Sequence, residues 1–270
     1  MAATQHLRWD PAQYQRHGRD RSRPLTELVA RVPELPDRPA IADLGCGPGG
    51  PTLSLFGRWP DARITGLDNS PEMLAEARAK AGDRSARSVR FVEADLASWR
   101  PAEPWDLLIA NAALQWVPDH HLRFPDWVAG LAPGGVLAFQ VPGNHAAPSH
   151  RLMREVAERP RWRARLAGVL RTDPPVLTPE GYLAELSPLC ADVDVWETTY
   201  LHRLAGDDAV LDWVSGTGLR PVLTALEDDP EARTAFVAEY AAELRTAYPA
   251  DAHGTVFPFR RVFAVARRAA

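Results

Sequence analysis

Cysteine is nearly absent from this chain: Cys46 and Cys190 are the only two in 270 residues. That count excludes a disulfide-stapled secreted scaffold, which needs several bridges. Cys46 also sits inside a glycine cluster, where a crosslink would obstruct a ligand, so both cysteines are expected as reduced thiols. No apolar run approaches the length of a membrane span, and the opening Met1-Ala2-Ala3-Thr4-Gln5-His6-Leu7-Arg8-Trp9 lacks the apolar stretch of a secretory leader. A soluble cytoplasmic protein with no membrane partner is the expectation. An excess of positive charge is missing as well, because 31 basic residues face 35 acidic ones and leave a net charge of −4. A phosphate backbone is disfavoured as a partner, so nucleic acid is not expected. Metal-ligand spacing is absent too. His120 and His121 are adjacent but have no cysteine or third histidine near them, which points to structural or solvent-facing roles and to no metal. The chain shows no internal repeat, no low-complexity tract and no Ser-His-Asp arrangement.

What is present is ordinary globular material, 46% apolar and 24% charged, in a length that suits one large α/β domain with an insertion or two small domains. Its most informative segment is Asp43-Leu44-Gly45-Cys46-Gly47-Pro48-Gly49-Gly50. The apolar Ala40-Ile41-Ala42 precedes it and the helix-like Leu53-Ser54-Leu55-Phe56 follows, so it reads as strand, glycine loop and helix start. Glycines there allow close backbone approach and positive φ. A new helix adds unpaired N–H groups and a positive dipole end, suited to an anionic or carboxylate-bearing ligand.

Downstream, Arg63 to Asp68 reads as a second strand ending in an acid, and Ser70 caps a helix from Pro71 to about Ala81. Val89 to Glu93 reads as a third strand, Trp105 to Ala110 as a fourth, and Val136 to Val141 as a fifth after a helix around Leu122 to Leu131. Such alternation calls for a parallel, doubly wound sheet. Gly45 to Gly49, Asp68, Asp95 and Asn111 then all fall at the carboxyl ends of strands, the edge where open α/β sheets bind ligands. From Asn144 to Leu186 the pattern becomes arginine-rich and helix-like, with Arg161, Arg163 and Arg165 reading as a solvated helix face. Asp192 to Leu204 reads as a strand, Asp207 to Tyr248 as two or three helices, and Val256 to Arg268 as a last strand.

The glycine loop satisfies two templates. Gly45, Gly47 and Gly50 match the dinucleotide pattern G-x-G-x-x-G, with Asp68 near the position of a ribose-binding acid. Asp43, Gly45, Gly47 and Gly49 match the acid-x-G-x-G-x-G pattern of S-adenosylmethionine-dependent methyltransferases. The leading acid favours the second template, because a carboxylate would repel a pyrophosphate.

With Asp43 to Gly49, Asp68, Asp95-Leu96 and the Pro133-Gly134-Gly135 turn, the chain resembles the class I methyltransferases over roughly its first 140 residues. More narrowly it resembles the trans-aconitate 2-methyltransferase family. That likeness rests on Trp9-Asp10-Pro11 with Tyr14, Arg21-Ser22-Arg23-Pro24, Asn111 to His120, Leu152 to Val156, Asp212-Trp213-Val214, Thr217 to Pro221 and Val265 to Arg268. Gly50-Pro51 and Arg260 depart from the family pattern, where polar residues and a proline are usual. The resemblance implies a Rossmann-like class I methyltransferase sheet, formed by residues 39–143, 188–204 and 256–270. A helical cap would comprise 144–187 and 205–255, with an N-terminal segment, 1–38, closing the active site.

It also implies S-adenosylmethionine as cofactor, S-adenosylhomocysteine as product and a small polycarboxylate, trans-aconitate, as acceptor. Cofactor contacts are expected from Asp43, Gly45, Gly47, Gly49, Asp68, Met73, Asp95, Leu96, Asn111 and Ala112. Asp68 would accept the ribose hydroxyls and Asp95 with Leu96 would hold the adenine. Asn111 and Ala112 would line the methionine side. Acceptor contacts are expected from Arg21, Arg23, Arg220 and Arg261 as fork-shaped donors, with Tyr14 as a phenolic donor and Trp116 and Trp213 as walls. One of Tyr14, Arg21 or Arg23 could instead hold the cofactor's own carboxylate. An acceptor carboxylate of ordinary pKa, about 4, is ionised at neutral pH, so no proton-transfer residue is assigned. Two other readings stay open: a nicotinamide-dependent oxidoreductase using the literal G-x-G-x-x-G, and a non-catalytic S-adenosylmethionine-binding protein that has lost its acceptor. Oligomeric state cannot be read from these residues.

Overall fold

The computed structural model describes residues 18–82 and 88–270, with side chains from Arg23 onward. Tyr14 lies outside the described residues, as does the expected closing segment up to residue 17; Arg21 is described by its backbone alone. The strands are β1 Ala40–Leu44, β2 Arg63–Asp68, β3 Val89–Glu93, β4 Trp105–Asn111, β5 Leu131–Pro142, β6 Asp192–Leu204, β7 Ala250–Asp251 and β8 Gly254–Arg267. The helices are α1 Gly18–Arg31, α2 Gly50–Ser54, α3 Pro71–Ala81, α4 Phe124–Ala129, α5 Pro148–Ala157, α6 Arg163–Leu166, α7 Pro179–Leu186, α8 Ala209–Ser215, α9 Arg220–Ala225 and α10 Pro230–Ala247.

All strands join one sheet in the order β3-β2-β1-β4-β5-β8-β6, with β7 paired to β8. The first five run parallel, and β8 enters antiparallel beside β5. The chain builds outward from β1 through β2 and β3, then returns to lay β4 on the other side of β1. Their carboxyl ends therefore flank the topological switch point, where α/β sheets take ligands. The doubly wound, Rossmann-like expectation is met. β1 is buried along its whole length, as a central parallel strand covered on both faces must be.

Helix α3 forms as its sequence dictates. Ser70 caps it by accepting from the Met73 N–H, Pro71 opens it and Gly82 ends it. The region before the fifth strand differs from expectation. A 3₁₀ turn at His120–Arg123 and the short α4 replace one helix to Leu131, and β5 begins at Leu131. The cause is a register shift: Trp105 pairs with Leu131 while Leu107 pairs with Val136, so residues 132–135 bulge from the ladder. Gly135 is required there, because a Cβ would stand 2.8 Å from the Trp105 carbonyl oxygen.

Two compact units emerge, one comprising 18–142, 175–198 and 261–270, the other 143–174 and 199–260 within the described residues. The sheet unit's core includes Leu44, Leu108, Phe124, Trp127, Phe139, Tyr182 and Val262. Residues 175–187, expected in the cap, group instead with the sheet, because Tyr182 and Leu186 of α7 are fully buried in that core. Residues 199–204 and 256–260, expected with the sheet, group with the second unit, where Leu204, Phe257 and Phe259 join Trp162, Trp213, Phe236 and Tyr240. Within that unit Tyr240 Oη donates to the Ser149 carbonyl at 2.7 Å, and Arg159, just past the end of α5, pairs with Glu239 and Glu243 of α10.

Candidate functional site

The glycine loop between β1 and α2 is shaped by three residues at positive φ, Gly45 at 79°, Gly47 at 52° and Gly49 at 76°. They are glycine for different reasons. A Cβ on Gly45 would lie 2.3 Å from the Ala113 Cβ, and one on Gly49 would lie 2.8 Å from the Ala77 Cβ, so the chain's own packing excludes side chains at both. At Gly47 a Cβ would meet nothing within 4 Å. Of the three, Gly47 is the position where a ligand could approach the backbone closely.

Beneath the loop, Asp43 is buried and accepts a hydrogen bond from Thr52 Oγ1 of α2 at 2.6 Å. Burial pushes its carboxyl up to about 6, with Thr52 opposing and the nearby Asp68 adding to the rise. A cationic ligand group near this acid would relieve that cost. Cys46 is a buried free thiol whose pKa is raised by burial and by Asp43 and Asp68, so it is inert packing rather than a nucleophile.

Asp68, at the end of β2, is half-buried, and its carboxylate accepts backbone N–H groups, Gly47 on one oxygen at 2.9 Å and Ser70 on the other at 2.9 Å. These bonds lower its pKa against a larger rise from burial. Every carboxylate oxygen has a second lone pair, so Asp68 can still receive hydroxyl donors while it holds the loop. Asp95 is exposed after β3 and accepts from the Ala97 N–H at 3.0 Å, while Leu96 is buried within 4 Å of the Gly45 Cβ position. Met73 is 5% exposed on α3, which is a core position. Gly47's open approach, a half-buried acid at the end of β2 and a buried acid short of a cation form an acceptor set that fits the ribose hydroxyls and the ammonium group of S-adenosylmethionine.

At the end of β4, Asn111 is half-buried, and Gln140 Nε2 of β5 donates to its Oδ1 at 2.6 Å. Gln140 Oε1 accepts in turn from Arg261 Nη1 of β8 at 2.9 Å. Arg261, expected as an acceptor clamp, is thus 4% exposed and engaged with a buried amide. Ala112 follows at φ 54°, a costly conformation for a residue with a Cβ. It is held by two bonds, its N–H to the Gln140 carbonyl at 3.0 Å and its carbonyl accepting from Gln115 Nε2 at 2.6 Å. Trp116 is half-buried on the 3₁₀ turn Leu114–Trp116 that follows.

That loop is closed by His120, which is buried as the structural reading expects. Its Nδ1 lies 3.3 Å from the Val117 carbonyl and its Nε2 2.8 Å from Tyr182 Oη. A carbonyl only accepts, so Nδ1 carries the proton and Nε2 accepts from Tyr182. Burial lowers the imidazole to about 4 and keeps it neutral.

Trp213 and Arg220 belong to the second unit. Trp213 is 2% exposed, with its ring 4.8 Å from that of His202. Arg220 opens α9, and its buried Nε has no hydrogen-bond partner among the described residues. Leaving such a donor unmet is costly unless a ligand meets it. Just before it, a Cβ on Gly218 would lie 3.1 Å from His150 Nε2. Arg23 is exposed on α1 and paired with Glu27 one turn on at 2.7 Å.

Thr52, Gln140 and His150 were not anticipated. Gln140 had a legible signal, a lone amide inside the apolar run Val136 to Val141, which must find partners if buried. Thr52 and His150 had none. Among the described residues no group of three or more His, Cys, Asp or Glu could hold a metal, and no helix is long and apolar enough to cross a membrane.

Residues 41–135 match a family described as "Methyltransferase domain". The chain is 66% identical to a trans-aconitate 2-methyltransferase of Streptomyces coelicolor over 96% of its own length and 86% of that protein's. It is 45% identical to one of Escherichia coli O157:H7, over 96% and 98%. Solved structures of similar fold include the YcgJ protein of Bacillus subtilis, at a TM-score of 0.59 and 14% identity, covering 92% of this chain and 99% of that one. Another is phosphoethanolamine N-methyltransferase 2 of Haemonchus contortus in complex with S-adenosyl-L-methionine, at 0.55 and 16%, covering 91% and 52%. At such identities these two attest the fold alone.

Proposed function

The chain belongs to the trans-aconitate 2-methyltransferase family, and on that footing we propose that it transfers a methyl group from S-adenosylmethionine to a carboxylate of trans-aconitate. The products are a monomethyl ester and S-adenosylhomocysteine. The observation that carries this reading is 66% identity, over 96% of the chain, to a protein of that name, joined to a glycine loop whose leading acid, Asp43, is buried. A buried carboxylate there supports a cationic ligand end over a pyrophosphate, which weakens the nicotinamide alternative.

When bound, the cofactor supplies a methyl group already electrophilic on its sulfonium. The chain's own work is therefore placement. Gly47 would let the ligand approach the loop backbone, Asp68 would receive ribose hydroxyls, and Asp95 with Leu96 would hold the adenine. Asn111 and Ala112 bound the reacting end. The acceptor carboxylate is ionised at neutral pH with an ordinary pKa of about 4, so no residue need take a proton. Holding two reactants in line and excluding water supplies on the order of 7–11 kcal/mol.

Arg220 is the leading candidate to bind a substrate carboxylate, supported by its unmet buried Nε. Arg21, Arg23, Tyr14, Trp116 and Trp213 complete the proposed acceptor set, with Arg23 the least supported because Glu27 engages it. The proposed setting is the cytoplasm, consistent with Cys46 and Cys190 as free thiols. Calorimetry with S-adenosylhomocysteine and with NAD separates the two cofactor readings: binding of the first and not the second is expected, and the reverse would overturn the assignment.

A further inference from the structure

Three strands contribute one polar side chain each to a continuous line through the sheet unit's core: Arg261 from β8, Gln140 from β5 and Asn111 from β4. Register brings them side by side, since Asn111 pairs with Gln140 and Pro142 pairs with Arg261. Gln140 is 0% exposed and Arg261 4%, so bulk water does not compete for the bond between them.

The direction of that line follows from chemistry. Arginine has only donors, in every protonation state a protein meets. Gln140 must therefore turn its oxygen to Arg261 Nη1, at 2.9 Å, and its amide nitrogen to Asn111, at 2.6 Å. Asn111 in turn must receive that N–H on Oδ1. Amide orientations are ordinarily ambiguous, but here a cation at one end sets both. The two N–H groups of Asn111 are left as the outward face of a half-buried residue at the switch point, with no side-chain or backbone acceptor among the described residues. Ala112, held at positive φ by its bonds to Gln140 and Gln115, keeps the backbone beside them from rearranging.

We propose that Gln140 and Arg261 are positioning residues that lock the Asn111 amide with its N–H groups outward, where they receive a carboxylate oxygen of a bound ligand. A reversed amide would point its carbonyl oxygen at that carboxylate and repel it. Two carboxylates are available in the reaction, that of the cofactor's methionine end and that of the acceptor. Only their identity rests on the methyl-transfer reading.

Gln140→Glu tests the lock. The glutamate keeps the bond from Arg261 but has no N–H for Asn111, which can then bond to it only by donating, so its oxygen turns outward. S-adenosylhomocysteine binding is measured by calorimetry on the full chain, and trans-aconitate binding by calorimetry on the S-adenosylhomocysteine-loaded protein. A loss of about ten-fold or more is expected for one ligand. A loss confined to trans-aconitate assigns the carboxylate to the acceptor, and a loss in S-adenosylhomocysteine binding assigns it to the cofactor. Arg261→Lys beside Arg261→Met is the second comparison, because lysine preserves the donor-only end and methionine does not. Lysine should retain the affected affinity better than methionine at matched thermal stability. Should Gln140→Glu not fold, this pair decides alone. Wild-type affinity for both ligands in folded Gln140→Glu, or lysine no better than methionine, overturns the proposal. Failure of wild type to methylate trans-aconitate sinks the functional reading instead, and leaves the binding comparison standing.

Discussion

Thr52 Oγ1 donates to the buried Asp43 carboxylate at 2.6 Å, tying the helix that follows the glycine loop to the strand that precedes it. The same acid is held above its ordinary value of 3.8, at about 6, chiefly by burial. Between these values the folded protein keeps a proton that the unfolded chain has released, so stability falls as pH rises through about 4 to 6. Above that window the folded state carries a charge it would rather not have.

Asp43→Asn should therefore stabilise the ligand-free protein at pH 8, by up to about 3 kcal/mol and a Tm rise of several degrees. The gain should vanish near pH 4, where Asp43 is protonated in both states. S-adenosylhomocysteine binding should weaken in the same variant. Thermal unfolding across pH and calorimetry check both, and a destabilised variant at pH 8 would contradict the proposed cost of the charge.

The three loop glycines should separate on substitution. Gly45→Ala drives a Cβ to 2.3 Å from Ala113 and should destabilise the protein itself. Gly47→Ala meets open space, so it costs only the strain of positive φ, about 1–2 kcal/mol, while intruding on the ligand. Chemical denaturation should rank Gly45→Ala as the less stable, and S-adenosylhomocysteine calorimetry on folded Gly47→Ala should show a loss of affinity beyond that of a surface control.

Arg220→Lys keeps the charge and removes the planar fork. If Arg220 grips a carboxylate, KM for trans-aconitate should rise about ten-fold with S-adenosylhomocysteine affinity near wild type. Unchanged kinetics would assign Arg220 a structural role and send the search for the clamp to the segment around Tyr14 and Arg21.

Local chemistry made much of the sheet unit legible. Ser70-Pro71 and Gly82 bracket α3 because capping, proline and glycine act within a few residues, and the apolar run of β1 announces a strand buried on both faces. The helix expected to reach Leu131 gives way to a pairing event: whether Trp105 opposes Leu131 or, in register with Leu107 on Val136, Gly134 depends on a neighbouring strand, which no local pattern encodes. Arg261 illustrates the same limit at the site. The family resemblance implies a fork-shaped acceptor clamp at Arg261, yet its bond to Gln140 joins two strands that are distant in sequence. Thr52 was invisible for a simpler reason, since a threonine in a helix start has no distinguishing mark until the acid beneath it is located.

The most direct measurement is turnover. Purified full-length protein is incubated with S-adenosylmethionine and, separately, trans-aconitate, cis-aconitate, isocitrate and citrate, and ester and S-adenosylhomocysteine are quantified by mass spectrometry. A trans-aconitate monomethyl ester formed mole for mole with S-adenosylhomocysteine, in preference to the other acids, is the expected result. Binding of S-adenosylhomocysteine without ester formation from any of them would contradict the assigned activity.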